Sequence, residues 1–356
     1  MINVSDLSIH TFLPLAKGYL LQAIPTGIPG WSPGEDFLIS PLAQGEYSMN
    51  YLVQQGKVAW VLRVKVGSQL GLSAQEQIAY EYKTLALLEP LSVSPTPYFF
   101  DDSLDHLPFA VLGMSYLPGE PLDYRRDLAD AARLFARYHQ LRVPPEQNHL
   151  IREGKPLSRV YERCLPKLEI YLNSGLGDPN LCVYFNELLA WADGARGQEK
   201  FFLQAPWQCL IHTEVNSSNW ICNRKTGSLH LVDWERPLWG DPSQDLSHFR
   251  VPTTTLWKTE YRMTGDDQAT MMAAYKAALS DPHLQDTIEE RTALRDPFNC
   301  LRAVAWCAMA WVQYQRDERP LKNKDTYRKI TSYLDLNFLR GLFDTYLDPG
   351  RGKAAM

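Results

Sequence analysis

The chain has 356 residues, 45% hydrophobic and 22% charged, with a formal net charge of −5. That composition is ordinary for a soluble globular protein large enough for two lobes, and its mild acidity argues against nucleic-acid or anionic-membrane partners. No apolar run reaches transmembrane length, and Met1 to His10 lack the basic and apolar stretches of a secretory signal, so a cytoplasmic protein without membrane contact is expected. Cys164, Cys182, Cys209, Cys222, Cys300 and Cys307 form no Cys-x-x-Cys pair and read as reduced structural thiols, not a zinc site.

About the first hundred residues read as strands with one helix. Leu42 to Val53 and Lys57 to Val66 flank Gln54-Gln55-Gly56, a hairpin signal. In the second run Val58, Trp60, Leu62, Val64 and Val66 share one face; Ala59, Val61, Arg63 and Lys65 share the other. Gln75 to Leu91 reads as a helix with Ile78, Tyr82, Leu85 and Leu88 on one stripe and Pro90 ending it. Thr96 to Asp101 and Phe109 to Tyr116 complete a five-stranded sheet. Leu117-Pro118-Gly119 then breaks the pattern, and the chain turns helical: Asp127–Leu141, Ser158–Ser174, Cys182–Gly194, Asp266–Leu279 and Asn299–Gln315 are the predicted helices. A small β-rich lobe, residues 1–115, precedes a larger helical lobe, residues 116–356, with the hinge near Met114 to Gly119. The fold class is α+β.

The chemistry concentrates in residues 211–246. Leu210-Ile211 leads into a polar loop, His212 to Ser218; Trp220–Cys222 and Leu229–Val232 then flank a turn at Lys225–Ser228. Strands of similar length bring Asn219 and Asp233 to one end of that hairpin. Glu214, Asn219 and Asp233 together supply what phosphoryl transfer needs: one group to orient a nucleophile and two oxygen ligands for hard cations. Taken alone, Asn219 is better explained as a turn-capping amide.

This stretch resembles the aminoglycoside phosphotransferase and choline kinase family, relatives of protein kinases, whose loop runs His-Gly-Asp-x-x-x-x-Asn and whose metal motif is Ile-Asp-Trp or similar. His212, Glu214, Asn219 and Asp233 stand at the matching positions. The resemblance implies a protein-kinase-like two-lobed fold, with Asn219 and Asp233 as Mg²⁺ ligands and Glu214, in place of the usual Asp, orienting or deprotonating the acceptor hydroxyl. Gly240-Asp241-Pro242 and Asp245-Leu246 match the family's following motif; Asp241 reads as a helix-start residue, and Asp245 is expected to brace the catalytic loop. His212 is expected to hold the loop by hydrogen bonds.

In the small lobe, Val61-Leu62-Arg63-Val64 resembles the strand whose basic residue reaches the nucleotide's phosphates while Val61 packs on adenine; arginine can grip phosphate with two donors. Lys65 is the alternative cation. Glu81 matches the glutamate that orients it. Glu76 lies about 140° around the helix and cannot point the same way. Gln44 to Asn50 resembles a loose phosphate-covering turn in which Gly45 and Ser48 take part, and Gly113 to Tyr116, with Ser115 and Tyr116, would read the adenine edge. Trp234, Glu235, Trp239, Trp257, Tyr261, Asp266, Asp267, Trp306, Trp311 and Tyr314 fall in segments that the family places near its acceptor, where aromatic faces and carboxylates suit a cation, although Trp234, Trp306 and Trp311 read better as core residues. The Pro252–Thr255 run is a candidate pocket lining or turn cap.

The expected protein is therefore a monomeric or homodimeric enzyme using ATP (GTP the alternative) and Mg²⁺ to phosphorylate a hydroxyl of an amino-sugar, amino alcohol or similar metabolite. Two rivals stand beside it. One is a nucleotide-binding protein that Glu214 has left without transfer activity; the other is a transferase that moves a different part of the nucleotide.

Overall fold

The computed structural model describes residues 8–23, 25–45, 47–318 and 324–347. In chain order a helix α1 (Ile9–Gln22) precedes strands β1 (Leu38–Gln44), β2 (Ser48–Gln55) and β3 (Val58–Lys65), helix α2 (Ala74–Leu88), and strands β4 (Pro97–Asp101) and β5 (Ala110–Ser115). Helices α3 (Tyr124–His139), α4 (Ser158–Leu172), α5 (Pro179–Ala195) and α6 (Lys200–Gln204) follow. Strand β6 (Cys209–Ile211), the hairpin β7 (Trp220–Asn223) and β8 (Ser228–Leu231), and β9 (Leu238–Gly240) come next. Helices α7 (Ser243–Arg250), α8 (Pro252–Lys258), α9 (Gly265–Ala277), α10 (Ile288–Gln315), α11 (Lys324–Tyr333) and α12 (Leu336–Leu347) complete the chain.

These elements form two compact units. The first comprises residues 1–122, 142–150 and 219–237; the second comprises 123–141, 151–218 and 238–356. The architecture is α+β.

In the first unit an antiparallel sheet runs in the order β1-β2-β3-β5-β4. The run Leu42 to Val53 is not one strand: β1 ends at Gln44 and β2 begins at Ser48, and Glu46 lies outside the described residues. One sheet face packs Met49, Tyr51, Val53, Trp60, Leu62 and Val64 against Phe12, Ala16 and Tyr19 of α1. Helix α1 is absent from the expectation of strands with a single helix. Its interior Pro14 argues against a helix, yet Ser8 and Thr11 cap each other reciprocally at its start. Helix α2 begins at the same kind of box, Ser73 with Glu76. The β7–β8 hairpin joins this unit through its backbone: Cys222 N donates to Glu120 O at 2.8 Å, and Leu231 N to Val93 O at 2.8 Å.

The second unit is mainly helical, with a core cluster in which α10 packs on α4 and Phe185, Leu188, Leu301, Val304 and Phe343 are fully buried. Helix α10 starts well before Asn299, because Pro297 is accommodated inside it. The Pro252–Thr255 run is the first turn of α8, and its three threonines are buried. All six cysteines are free thiols. No helix among the described residues is long and apolar enough to cross a membrane.

Gly113 is a fixed point of the sheet. A Cβ built there would lie 2.2 Å from Cε1 of Phe99, its cross-strand partner on β4. Gly113→Ala is expected to destabilise the fold by about 1–3 kcal/mol through overpacking, and adding Phe99→Ala should remove the Gly113→Ala increment. Urea unfolding of the three variants measures both effects.

Candidate active site

In the first unit, β3 presents Val61, Arg63 and Lys65 on one face. Val61 lies between Leu52 of β2 and Met114 of β5 in the sheet register. Arg63 is 3% exposed and Lys65 0%, and cations so buried require carboxylates against them. Glu81 of α2 places Oε1 3.0 Å from Arg63 Nε. Arg63 Nη2 donates to Asp233 Oδ1 at 2.5 Å and to Glu235 Oε2 at 3.2 Å. Arg63 Nη1 donates to Asn50 Oδ1 at 3.4 Å, and Lys65 Nζ donates to Glu235. Burial alone would lower the Arg63 pKa, but Glu81, Asp233 and Glu235 outweigh it and hold the guanidinium above its ordinary value. Arg63 and Glu81 thus meet, while Glu76 is occupied at the α2 cap.

Glu235 takes a place that the sequence did not suggest. Beyond Arg63 and Lys65, its Oε1 accepts from Gln69 Nε2 at 2.8 Å and its carbonyl from Gln77 Nε2 at 2.5 Å. It is a buried counter-ion of β3, not a carboxylate reserved for an acceptor. The only hint in the sequence is that a second carboxylate stands two positions after Asp233.

The β7–β8 register pairs Trp220 with Leu231, and Val232 N donates to Asn219 O at 2.8 Å. Asn219 and Asp233 therefore leave the same end of the hairpin. Asp233 has φ 66°, in the left-handed region, which Asp tolerates better than most residues. Trp234 is fully buried, and its Nε1 donates to Leu231 O at 2.8 Å. Gly45 N donates to Ser48 O at 2.9 Å across the β1–β2 turn, and Ser48 pairs with Lys65. Ser115 N donates to Thr96 O, and its hydroxyl accepts from Thr96 N, both at 2.9 Å. Tyr116, half-buried, is the first residue beyond β5.

In the second unit the loop after β6 is held by side chains. His212 N and Thr213 N each donate to the Asp245 carboxylate at 2.7 Å. Glu214 N donates to His212 Nδ1, and Val215 N to His248 Nδ1, both at 3.2 Å. Thr213 has φ 74°, a strained value for a β-branched residue. The Glu214 carboxylate is half-exposed, with Arg302 Nη2 of α10 at 3.2 Å. Asp245 also accepts from the Tyr138 hydroxyl at 2.6 Å and lies 3.3 Å from His139 Nε2. Burial pushes the Asp245 carboxyl up, but His139, His212 and Tyr138 outweigh it and hold the pKa at about 2. Asp241 takes Ser243 N at 3.1 Å and Arg291 Nη1 at 2.5 Å, which makes it a helix-start and ion-pair residue.

The expected aromatic and acidic residues of this unit are partly committed elsewhere. Asp267 caps α9 and accepts from the Tyr261 hydroxyl at 2.6 Å. Trp311 packs on Tyr171 at 5.6 Å, and Tyr314 on Tyr327 at 5.2 Å. Trp257 and Trp306, both half-buried, meet edge-to-face at 5.7 Å.

An antiparallel five-stranded sheet with a helix-borne glutamate on its central cation, followed by a mainly helical unit, is the architecture of the protein-kinase-like class. The profile of the phosphotransferase enzyme family matches residues 38–291. The chain belongs to that family. Among solved structures it is similar to an ethanolamine kinase from Plasmodium vivax, with TM-score 0.65, 12% identity and coverage of 95% of this chain and 92% of that one. It is also similar to a choline kinase from Cryptosporidium parvum, with TM-score 0.63, 12% identity and coverage of 94% and 98%. A spectinomycin phosphotransferase solved with ADP and spectinomycin gives TM-score 0.63, 11% identity and coverage of 96% and 99%. At these identities the likeness is one of fold. No curated protein sequence matches the chain.

Glu235→Gln leaves Lys65 buried without its counter-ion and is expected to cost about 3 kcal/mol or more. Adding Lys65→Met should recover part of that loss, and urea unfolding of single and double variants reads the coupling.

Asp245 has a second, pH-dependent signature. Its folded pKa of about 2 lies below the ordinary 3.8, so its contribution is full above that ordinary value and is lost as pH falls through the folded one. The shift corresponds to about 2 kcal/mol. The stability gap between wild type and Asp245→Asn should therefore be constant near neutrality and narrow by that amount between about pH 4 and pH 2.

Proposed function

We propose that the chain is a Mg²⁺- and ATP-dependent kinase of a small alcohol, working in the cytoplasm. Residues 1–115 would serve chiefly the nucleotide, and residues 116–356 the acceptor and the transfer. The observation that carries this reading is the buried Arg63–Glu81 pair at 3.0 Å, which fixes a guanidinium on the strand face beside Asp233. A cation held in that way has the orientation that two-donor phosphate recognition needs. Val61 would pack on the base, with Gly45 and Ser48 near the phosphates. Because Ser115 N already serves Thr96, recognition of the adenine edge falls mainly to Tyr116 and the residues after it.

The donors fit a magnesium ion. Asn219 and Asp233 offer oxygen, both leave one end of the hairpin, and Mg²⁺ commonly takes few protein ligands and completes its shell with phosphate and water. Bound there, the ion would neutralise charge on the transferring phosphates. Glu214 orients the acceptor hydroxyl. The hydroxyl oxygen bonds to the γ-phosphorus, the bond from that phosphorus to the ADP oxygen breaks, and the hydroxyl proton passes to the Glu214 carboxylate and on to water. The products are a phosphate monoester and ADP. Positioning and charge compensation supply most of the rate.

The acceptor class is an alcohol on an amino alcohol, amino-sugar or related metabolite. The case for a cationic acceptor rests on Trp257 and Trp306, since Glu235 and Asp267 are engaged elsewhere. GTP is the alternative donor.

Mg·ATP should raise the melting temperature, and Asp233→Ala should remove the magnesium-dependent part of the rise. Glu214→Gln should lower transfer to alcohols at least about 100-fold while sparing Mg·ATP binding. Nucleotide binding without transfer to any alcohol in a screen of amino alcohols, sugars and aminoglycosides would favour the inactive, nucleotide-binding rival. A melting temperature that no nucleotide shifts at millimolar concentration would overturn the reading.

A further inference from the structure

The polar residues Arg291, Arg295, Asn299 and Arg302 recur along α10 at spacings of four, four and three, which places them on one stripe of the helix. Each reaches a segment around the Glu214 loop. Arg291 pairs with Asp241 at 2.5 Å, and Arg295 with Glu153 at 2.5 Å. Asn299 donates to Ser247 Oγ at 2.9 Å on α7. Arg302, the last of the stripe, uses one nitrogen twice: Nη2 donates to Thr213 O at 3.0 Å and to Glu214 Oε1 at 3.2 Å.

We propose that Arg302 is a positioning residue for Glu214, the device that makes the longer carboxylate usable in this chain. The inference rests on the phosphotransfer reading above. The loop backbone from His212 to Val215 is already fixed, because all four of its N–H groups donate to side chains. Those backbone bonds do not set the Glu214 side chain, which has one more rotatable bond than Asp and carries its carboxylate further from that backbone. Arg302 ties the carboxylate to the carbonyl of the preceding residue through a single guanidinium nitrogen, so the side chain is referenced to the same rigid loop. Arg302 is itself referenced to the packed core by the stripe below it: Arg295 is fully buried and Arg291 and Asn299 nearly so. A displacement of about 1 Å at a reacting group can cost roughly 100-fold in rate, which is the scale of error that the tether removes.

The test has a structural and a kinetic arm, using the full chain and Mg·ATP with water as the sole acceptor. Crystal structures of wild type and Arg302→Gln should show one Glu214 conformer against Arg302 in the first, and several in the second over an unmoved His212–Val215 backbone. The kcat for phosphate release should fall roughly 10- to 100-fold in Arg302→Gln, with KM for ATP within about two-fold and the melting temperature little changed; Arg302→Lys should recover part of kcat. In the Glu214→Asp background, whose shorter side chain withdraws from the arginine, Arg302→Gln should change kcat by less than about three-fold. A single Glu214 conformer in Arg302→Gln, an unaltered kcat, an equal loss in both backgrounds, or a loss explained by melting would overturn the proposal. If wild type releases no phosphate with water or with any alcohol, the phosphotransfer reading fails by itself, and the crystallographic arm alone decides whether Arg302 positions Glu214.

Discussion

Two cations buried side by side on one strand are the constraint around which the first unit is built. Arg63 and Lys65 cannot remain inside a protein as charged groups unless carboxylates are brought to them, and the sheet's own carboxylate, Asp101 of β4, is bonded to Tyr19 and Ser103 instead. Glu81 comes from α2, and Asp233 and Glu235 come from the segment after β8, about half the chain away in sequence. This is why residues 219–237 belong with the first unit and not with the helices that surround them in sequence. Their place is fixed at one end by backbone bonds to Glu120 and Val93, and at the other by the side chains that neutralise β3.

The second unit solves a similar problem with the signs reversed. Asp245 has no exposure, and its neutralisation comes largely from backbone N–H groups and ring or hydroxyl donors. Such an acceptor dictates the path of any loop that must satisfy it, and Thr213 is held in the left-handed region as a result. The strain of about 1–2 kcal/mol expected for a residue there is offset by two short hydrogen bonds to an ionised carboxylate, each stronger than a neutral one. Asp241 and Glu153 are bound in the same manner by Arg291 and Arg295, so one face of α10 fixes the ground from which the loop rises.

Much of this was legible from local pattern. The alternation in Val58–Val66, the stripe in Gln75–Leu91 and the turn at Lys225–Ser228 each predicted an element within a few residues of its observed bounds. What local pattern missed were cases in which packing overrode propensity: Pro14 inside α1 and Pro297 inside α10 both lie where a proline normally argues against helix. Among site residues, Arg63 and Glu81 could be paired from period and helical phase. For Glu235 the sequence points to the wrong neighbourhood, because its counter-ions on β3 lie 172 and 170 positions away. Arg302 had no signal at all, since it meets Glu214 across 88 positions and only the assembled helix stripe gives it meaning.

On the proposed reading, the same neutralisation would govern how a polyanion binds. Arg63 reaches Asn50, Glu81, Asp233 and Glu235 with its side-chain nitrogens, so a phosphate that engages it must share or replace one of these partners. The net gain is then the difference between two charge-assisted interactions, not the full strength of one. Glu81 is the partner least able to yield, being 1% exposed on a rigid helix. Asp233, a third exposed and at the hairpin end, is the one able to turn away. On the phosphotransfer reading proposed above, an arginine anchored on one side and exchangeable on the other would keep its orientation while its ligand changes.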